Sequence, residues 1–261
     1  MTNFTGKSVF ISGGSKGIGL ACGRKFAKEG ARIFLAASYE GNLKIAAETV
    51  SADGAADVGY HASDLRTLEG CEAAAAAGLA QFGGCDIFIH SAGATKGGIF
   101  PDQPDEEMID GFALKFHGGV RLARALWPSL KASNGTLINI VGGFARTPAA
   151  DFTVGGAVNA ALANFTKALA EKGLRDDVNV NWVHPGLTRT ERLNGIFADK
   201  AAQQSKTEAQ IETETVAAEG IRRLGRPEDL AELVLFLCGP SARHIHGAGI
   251  VMDGGGAKGY Y

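Results

Sequence analysis

The chain has 261 residues, a 45% share of hydrophobic residues and a net charge of −2 at pH 7, so no basic surplus predicts binding to nucleic acid or an anionic membrane. No apolar run reaches the roughly 20 residues that a transmembrane helix needs, and the first residues lack the pattern of a secretory leader. The four cysteines show no metal-binding spacing, so we expect reduced thiols and no metal. Together these features predict a cytoplasmic globular protein with a small-molecule ligand.

Seven short apolar runs alternate with helix-length segments along the chain. Most of the runs lack polar alternation, which is typical of parallel strands covered on both faces. The segments between them often stop at glycine, as helices do at their C-termini. This order predicts an α/β fold, with a single doubly wound parallel sheet of Rossmann type flanked by helices on both faces. The predicted strands are residues 7–12, 31–36, 57–62, 85–90, 136–141, 179–184 and 248–253.

The polar, helix-prone stretch 191–226 interrupts this alternation. It follows a predicted strand, where a flap over a ligand cleft would emerge, although a plain pair of surface helices fits the sequence equally well. No linker rich in Pro or Ser divides the chain. We therefore predict one dinucleotide-binding domain over 1–261, with a candidate substrate flap at about 191–226.

A glycine-rich loop, SGGSKGIG, directly follows the first predicted strand and opens a helix. Its residues Gly13, Gly17 and Gly19 would let the backbone approach a pyrophosphate, and the helix N-terminus offers free N–H groups and a partial positive charge. A strand before the loop and a helix after it is the context that this motif requires. The loop predicts a dinucleotide site.

With this loop, nearly the whole chain resembles the short-chain dehydrogenase/reductase family. The segments SDLR, HSAG and HPGLTRT are similar to the family's motifs for the adenine, for the end of the fourth strand and for the nicotinamide, and RLGRPEDLAELVLFLCGPSARHIHGAGIVMDGG resembles its C-terminal part. The implied cofactor-binding residues are Gly13, Ser15, Lys16, Gly17, Ile18, Gly19, Ser38, Asp64, Leu65, Ser91, Ala92, Gly93, Pro185, Gly186 and Thr188.

The same resemblance implies an oligomer and a preference between cofactors. We expect a homotetramer, or else a homodimer, with helices at 104–131 and about 152–172 in the dimer face and Tyr260 and Tyr261 in an interface. Members that prefer NAD carry an Asp at the end of the second strand, where this chain has Ala37 and Ser38. Because no carboxylate would repel a 2′-phosphate, NADP(H) is favoured over NAD(H). A positive charge on Lys16 supports this preference unless it is only a solvated loop charge.

The family's catalytic Asn, Ser, Tyr and Lys are all replaced. The matching positions hold Lys115, Gly142 (or its neighbour Gly143), Gly155 and Asn159. No Tyr or Lys occurs anywhere in 142–166. Since losing a general acid costs roughly 10²–10⁴ in rate, the family's usual proton transfer is not expected here.

Three functions remain open. The first is a divergent NADP(H)-dependent oxidoreductase that reduces an activated C=C bond or a carbonyl, with Lys115 as the best replacement for the lost groups. Other candidate proton carriers are His90, His117, Asp151 and His184. The second is an inactive nucleotide-binding protein, acting as a sensor or as a partner subunit. The third is a non-redox lyase or isomerase whose pocket is enlarged by the two glycines.

Overall fold

One parallel sheet of seven strands forms the centre of the molecule. The computed structural model describes residues 4–259. The strands are β1 Ser8–Ser12, β2 Arg32–Ala37, β3 Asp57–Ala62, β4 Ile87–His90, β5 Thr136–Ile140, β6 Asn179–Pro185 and β7 Gly249–Met252. They lie in the order β3-β2-β1-β4-β5-β6-β7, so the strand order reverses between β1 and β4, and this reversal creates the switch point at which open α/β sheets bind ligands. The predicted fold class is confirmed.

Helices cover both faces of this sheet. They are α1 Gly17–Lys28, α2 Glu40–Ala52, α3 Leu68–Phe82, α4 Asp105–Gly111, α5 Gly118–Ala132, α6 Thr153–Asp176, α7 Glu191–Gln204, α8 Glu208–Glu219 and α9 Pro227–Cys238. Alternate side chains of each strand point to opposite faces, so Val9 and Ile11 pack against α1, α2 and α9 while Phe10 packs against α3 and α5. Both sides of the strands are therefore apolar, which explains the absence of polar alternation.

The helix predicted over 104–131 is observed as one helical run, in which α4 and α5 are joined by a π-helical turn. This turn is Phe112–His117, and the backbone stays helical at both of its ends. Periodicity cannot reveal one residue of extra winding, because the apolar pattern on either side remains helical. The helix predicted at about 152–172 is observed as Thr153–Asp176. The part that these helices play in an oligomer stays a prediction, and Tyr260 and Tyr261 lie outside the described residues.

The stretch after β6 folds as a helical pair. Helices α7 and α8 pack around a small apolar cluster of their own, formed by Leu193, Phe197, Ala201, Ile211 and Leu224. Its function as a flap stays a prediction. Over residues 4–259, no helix is both long enough and apolar enough to cross a membrane. The same residues contain no group of three or more His, Cys, Asp or Glu side chains that would hold a metal ion, and all four cysteines are free thiols.

Candidate active site

A cleft of about 610 Å³ opens at the carboxyl ends of the central strands. It brings together residues from the glycine loop, the segment after β4, the π-helical turn and the start of α7. A smaller cavity of about 120 Å³ adjoins it beside the end of β2 and contains Ser38, Asp64 and Leu65. Of the predicted cofactor residues, the larger cleft contains Gly13, Lys16, Gly17, Ile18, Ser91, Ala92, Gly93 and Pro185.

Within residues 4–259, four of the predicted cofactor residues line neither of these two cavities. They are Ser15, Gly19, Gly186 and Thr188. Gly19 acts through packing, because a β-carbon there would overlap the carbonyl oxygen of Gly13. Thr188 is buried and its hydroxyl donates to the Gly186 carbonyl at 2.9 Å, which fixes the turn after β6. Gly19 and Thr188 thus support the shape of the glycine loop and of the turn after β6.

The glycine loop fits a bound pyrophosphate. Gly13 and Gly17 have φ of +68° and +54°, which L-residues with a side chain rarely adopt. Helix α1 begins without a capping side chain, and its first turn contains no acidic residue. The N–H groups and the partial positive charge at its N-terminus are therefore available to an anion. A nicotinamide dinucleotide is compatible with these residues.

Lys16 joins the glycine loop to the helical pair. Its ammonium forms an ion pair with Glu191, at 2.7 Å, at the start of α7. Both side chains remain substantially exposed, so the pair contributes little to stability and can be exchanged for another anion.

His90 is a buried structural residue rather than an exposed proton carrier. One ring nitrogen, Nε2, lies 2.8 Å from the Lys115 carbonyl oxygen, and the other lies 2.7 Å from the Ser12 hydroxyl. A carbonyl can only accept, so Nε2 carries the hydrogen and Nδ1 accepts from Ser12. Burial lowers the pKa of His90 to about 4, which keeps the ring neutral.

The other predicted proton carriers do not line the cleft as it is described over 4–259. His184 Nε2 accepts from Trp182 at 2.7 Å, while its Nδ1 lies 2.9 Å from the Gly142 carbonyl. Burial lowers the pKa of His184 and favours this neutral, structural state. His117 and Asp151 are exposed.

Lys115 lies in the wall of the large cleft. It belongs to the π-helical turn, an irregularity often found at functional sites. Its stem packs so closely on Gly93 that a β-carbon there would lie 2.9 Å from Lys115 Cδ, and its ammonium donates to the Val141 carbonyl. Burial, and secondly the positive charge of Arg192, lower the pKa of Lys115 to about 7. Lys115 in the wall of the cleft can therefore gain or lose a proton near neutral pH.

The position of the missing tyrosine is filled. A β-carbon on Gly155 would fall inside the ring of Phe152, which packs on Phe144 with ring centres 4.8 Å apart. The expectation of an enlarged pocket is therefore wrong at Gly155. Phe152 precedes α6 in a backbone conformation that is not helical, and sequence alone gives no indication that its ring folds back over the helix.

The position of the missing serine is also crowded. Gly142 has φ of +132°, and a β-carbon there would lie 2.9 Å from Asn159 Oδ1. The Asn159 amide donates to the Gly155 carbonyl at 2.7 Å, whereas its buried Oδ1 has no hydrogen-bond partner among the described residues. Asn159 therefore occupies space next to Gly142 instead of supplying the cation that the family has there.

Arg192 is a cleft residue that sequence reasoning missed. It lies in the first turn of α7, and its guanidinium donates to the Thr95 carbonyl after β4. One sequence signal was available. The helix dipole favours acidic residues in the first turn of a helix, so a cation there is unfavourable. Helix stability therefore does not explain the arginine at position 192.

The sheet, the glycine loop and the cleft at the switch point define a dinucleotide-binding α/β protein. A family model described as enoyl-(acyl carrier protein) reductase matches residues 13–257. The chain is 30% identical over 259 residues to the uncharacterized oxidoreductase YvaG of Bacillus subtilis, covering 97% of both chains, and 28% identical over 257 residues to the 3-oxoacyl-[acyl-carrier-protein] reductase FabG of Vibrio cholerae, covering 97% of this chain and 98% of that one.

Among solved structures, L-sorbose reductase from Gluconobacter frateurii, complexed with NADPH and L-sorbose, is similar at a TM-score of 0.95 and 31% identity, with 98% of each chain covered. The chain belongs to the short-chain dehydrogenase/reductase family, whose members are NAD(P)-dependent oxidoreductases.

The packing of Phe152 predicts opposite effects of one substitution at two helical glycines. Gly195→Ala, where a β-carbon would meet nothing within 4 Å, is expected to stabilise the protein by about 0.5–1 kcal/mol through helix propensity. Gly155→Ala should instead lower the free energy of unfolding, because the ring of Phe152 must move. In the Phe152→Ala background the penalty of Gly155→Ala should disappear. Denaturant unfolding of the four variants tests this, and equal stabilisation at both glycines would show that Phe152 does not fill the position.

Proposed function

We propose that the protein is an NADP(H)-dependent reductase of an activated C=C bond or a carbonyl, with Lys115 as the proton donor. The observation that carries this proposal is the ammonium of Lys115 in the wall of the cofactor cleft, with a pKa lowered to about 7. A general acid is most effective when its pKa lies near the operating pH. Burial supplies that tuning here, where the family relies on a phenol.

The chain's own residues would bind, orient and protonate the substrate. A bound nicotinamide dinucleotide supplies a hydride to a substrate carbon. Lys115 Nζ then gives one proton to the substrate atom that gains negative charge, so that two hydrogens in total are added across the double bond. The Val141 carbonyl holds Nζ in the cleft wall, and the apolar side chains of Ile140 and Val141 limit access of water to it.

Three observations support NADP(H) over NAD(H). The small cavity at the end of β2 is lined by Ala37 and Ser38, without a carboxylate at that strand end. Lys16 lies in the cleft and its exposed ion pair with Glu191 is weak enough to be exchanged for a phosphate. L-Sorbose reductase, at 31% identity, contains NADPH in its structure.

An inactive nucleotide-binding protein is the second candidate, and the filled position at Gly155 favours it. A lyase or isomerase is the third possibility, but no described residue supports a particular reaction of that kind. Titration with NADPH, followed by a turnover assay with enones, enoyl thioesters and 2-oxo acids, separates these functions. Binding without turnover across this panel would favour the second candidate over the reductase.

We also propose that the chain forms one domain over 1–261, with α7 and α8 as a substrate flap. We propose a homotetrameric or homodimeric assembly and a cytoplasmic location. Light scattering of the purified protein tests the assembly. A monomer at micromolar concentration would contradict it.

The proposed cofactor preference depends on the charge at the end of β2. Ala37→Asp is expected to weaken NADPH binding by about tenfold or more, because like charges near 4 Å repel by roughly 1–4 kcal/mol. It should strengthen NADH binding, since a carboxylate can accept the ribose hydroxyls. Ala209→Asp is the control, because it adds the same charge at an exposed position of α8. It should change neither the affinity for NADPH nor that for NADH. Fluorescence titration measures both, and unaltered selectivity in Ala37→Asp would contradict the proposed 2′-phosphate position.

The role of Lys115 yields a prediction of pH dependence. Only the protonated ammonium donates, so kcat/KM for reduction should fall as the pH rises through about 7. Lys115→Arg keeps the positive charge but does not release its proton, and should lose roughly 10²–10⁴ in rate while still binding NADPH. Lys167→Arg is the matched control, since Lys167 also donates to a backbone carbonyl, that of Gly247 at 2.8 Å. A rate independent of pH between 6 and 9, or an active Lys115→Arg, would remove Lys115 from the mechanism.

A further inference from the structure

The charged residues of the large cleft do not balance. Its lining contains three cations, Lys16, Lys115 and Arg192, and one carboxylate, Glu191. Glu191 is already paired with Lys16 at 2.7 Å. Lys115 and Arg192 donate to backbone carbonyls, and neither has a carboxylate partner in the part of the chain that the structure describes. Arg192 therefore leaves one positive charge in the cleft without a counter-charge, and Lys115 adds a second whenever it is protonated.

We propose that the substrate carries a carboxylate that binds in the cleft between Arg192 and Lys115. This proposal rests on the reductase function above and names its substrate class: a 2-oxo acid or a 2-enoic acid, in which a carboxylate accompanies the bond to be reduced. The dinucleotide does not account for these charges, because its pyrophosphate has donors of its own in the glycine loop and at the uncapped start of α1.

Arg192 is suited to a carboxylate. Its guanidinium presents five N–H donors in a fork that matches two carboxylate oxygens. Its side chain makes one hydrogen bond within residues 4–259, to the Thr95 carbonyl, and this bond ties the start of α7 to the segment after β4. Thr190 already caps the helix, accepting from the Leu193 N–H at 3.4 Å. The remaining donors of Arg192 are thus free of a structural task within residues 4–259.

The two cations also oppose each other. The charge of Arg192 is the second cause, after burial, of the lowered pKa of Lys115. A carboxylate between them would offset the charge of Arg192 and favour the charged form of Lys115. Binding of an anionic substrate should therefore raise the pKa of Lys115 and take up a proton at a pH above 7. Substrate binding would in this way lead Lys115 to take up from solvent the proton that it later donates to the substrate.

The test is calorimetry on the full chain saturated with NADP⁺, which permits binding but no reduction. The probes are a series of 2-oxo acids of increasing chain length and their neutral methyl esters. We expect the best acid to bind roughly 10- to 100-fold more tightly than its ester, because this is the gain in affinity that a charge-assisted hydrogen bond contributes. Arg192→Gln should abolish this difference. Arg175→Gln, at an exposed arginine in the last turn of α6, should leave it unchanged.

Proton uptake is the second readout. Calorimetry at pH 8 in buffers of different ionisation enthalpy should show uptake approaching about one proton per carboxylate bound, and the uptake should disappear in Lys115→Arg. Esters should cause none. Equal affinity of acid and ester in the wild type, failure of every acid to bind, or a preference that survives Arg192→Gln would overturn the carboxylate site.

Turnover separates this proposal from the one on which it rests. If the acids bind in an Arg192-dependent manner but NADPH reduces neither acids, enones nor thioesters, the reductase function fails and the anion site stands. If neutral enones are reduced and the acids have no advantage in binding, the reductase function stands and the carboxylate site fails.

Discussion

The neutral ring of His90 connects the centre of the sheet to the helix segment that carries Lys115. Ser12, at the end of β1, donates to Nδ1, and Nε2 donates to the Lys115 carbonyl. Burial keeps the ring uncharged, so the two roles of the nitrogens are fixed by their partners. Gly119 makes the approach possible, because a β-carbon there would lie 2.8 Å from the ring. The π-helical turn, and with it the ammonium in the cleft, is therefore held by a hydrogen bond from a strand that contributes no proposed catalytic group.

The site has been repacked rather than emptied. A protein that had only lost its catalytic side chains would contain voids at those positions, and each void in a packed interior costs stability. Here the ring of Phe152 overlaps the space of a side chain at Gly155, and the amide of Asn159 lies against Gly142. Both replacements remove hydroxyl groups and bring in atoms that cannot donate a proton at those places. Lys115 and Arg192 remain as polar side chains in the lining of the cleft.

The sequence predicted the strands well because each one packs into two apolar layers. Val9 and Phe10 are both fully buried, on opposite faces, and this pattern is visible as an uninterrupted apolar run. The slot of Lys115 was equally predictable, since the resemblance to the family runs through that helix. Arg192 and Phe152 were not, because their positions depend on how α7 and the segment before α6 fold back in three dimensions. The burial that keeps His90 and His184 neutral also depends on the tertiary structure. The sequence shows only that both lie next to cofactor motifs, and for that reason they were predicted as possible proton carriers.

A neighbouring cation lowers the pKa of the proposed acid, Lys115, as it lowers the pKa of the family's acid. A phenol near pKa 10 loses its proton more easily beside a cation, because its charged form is an anion. An ammonium near pKa 10.4 also loses its proton more easily beside a cation, because its own charged form is repelled. Burial is the larger cause of the lowered pKa of Lys115, and Arg192 adds to it as a lysine four residues away acts on a tyrosine in the family's pattern. The difference lies in the response to substrate, since a carboxylate offsets the charge of Arg192. In the proposed mechanism Lys115 would then be fully protonated only when there is something to reduce.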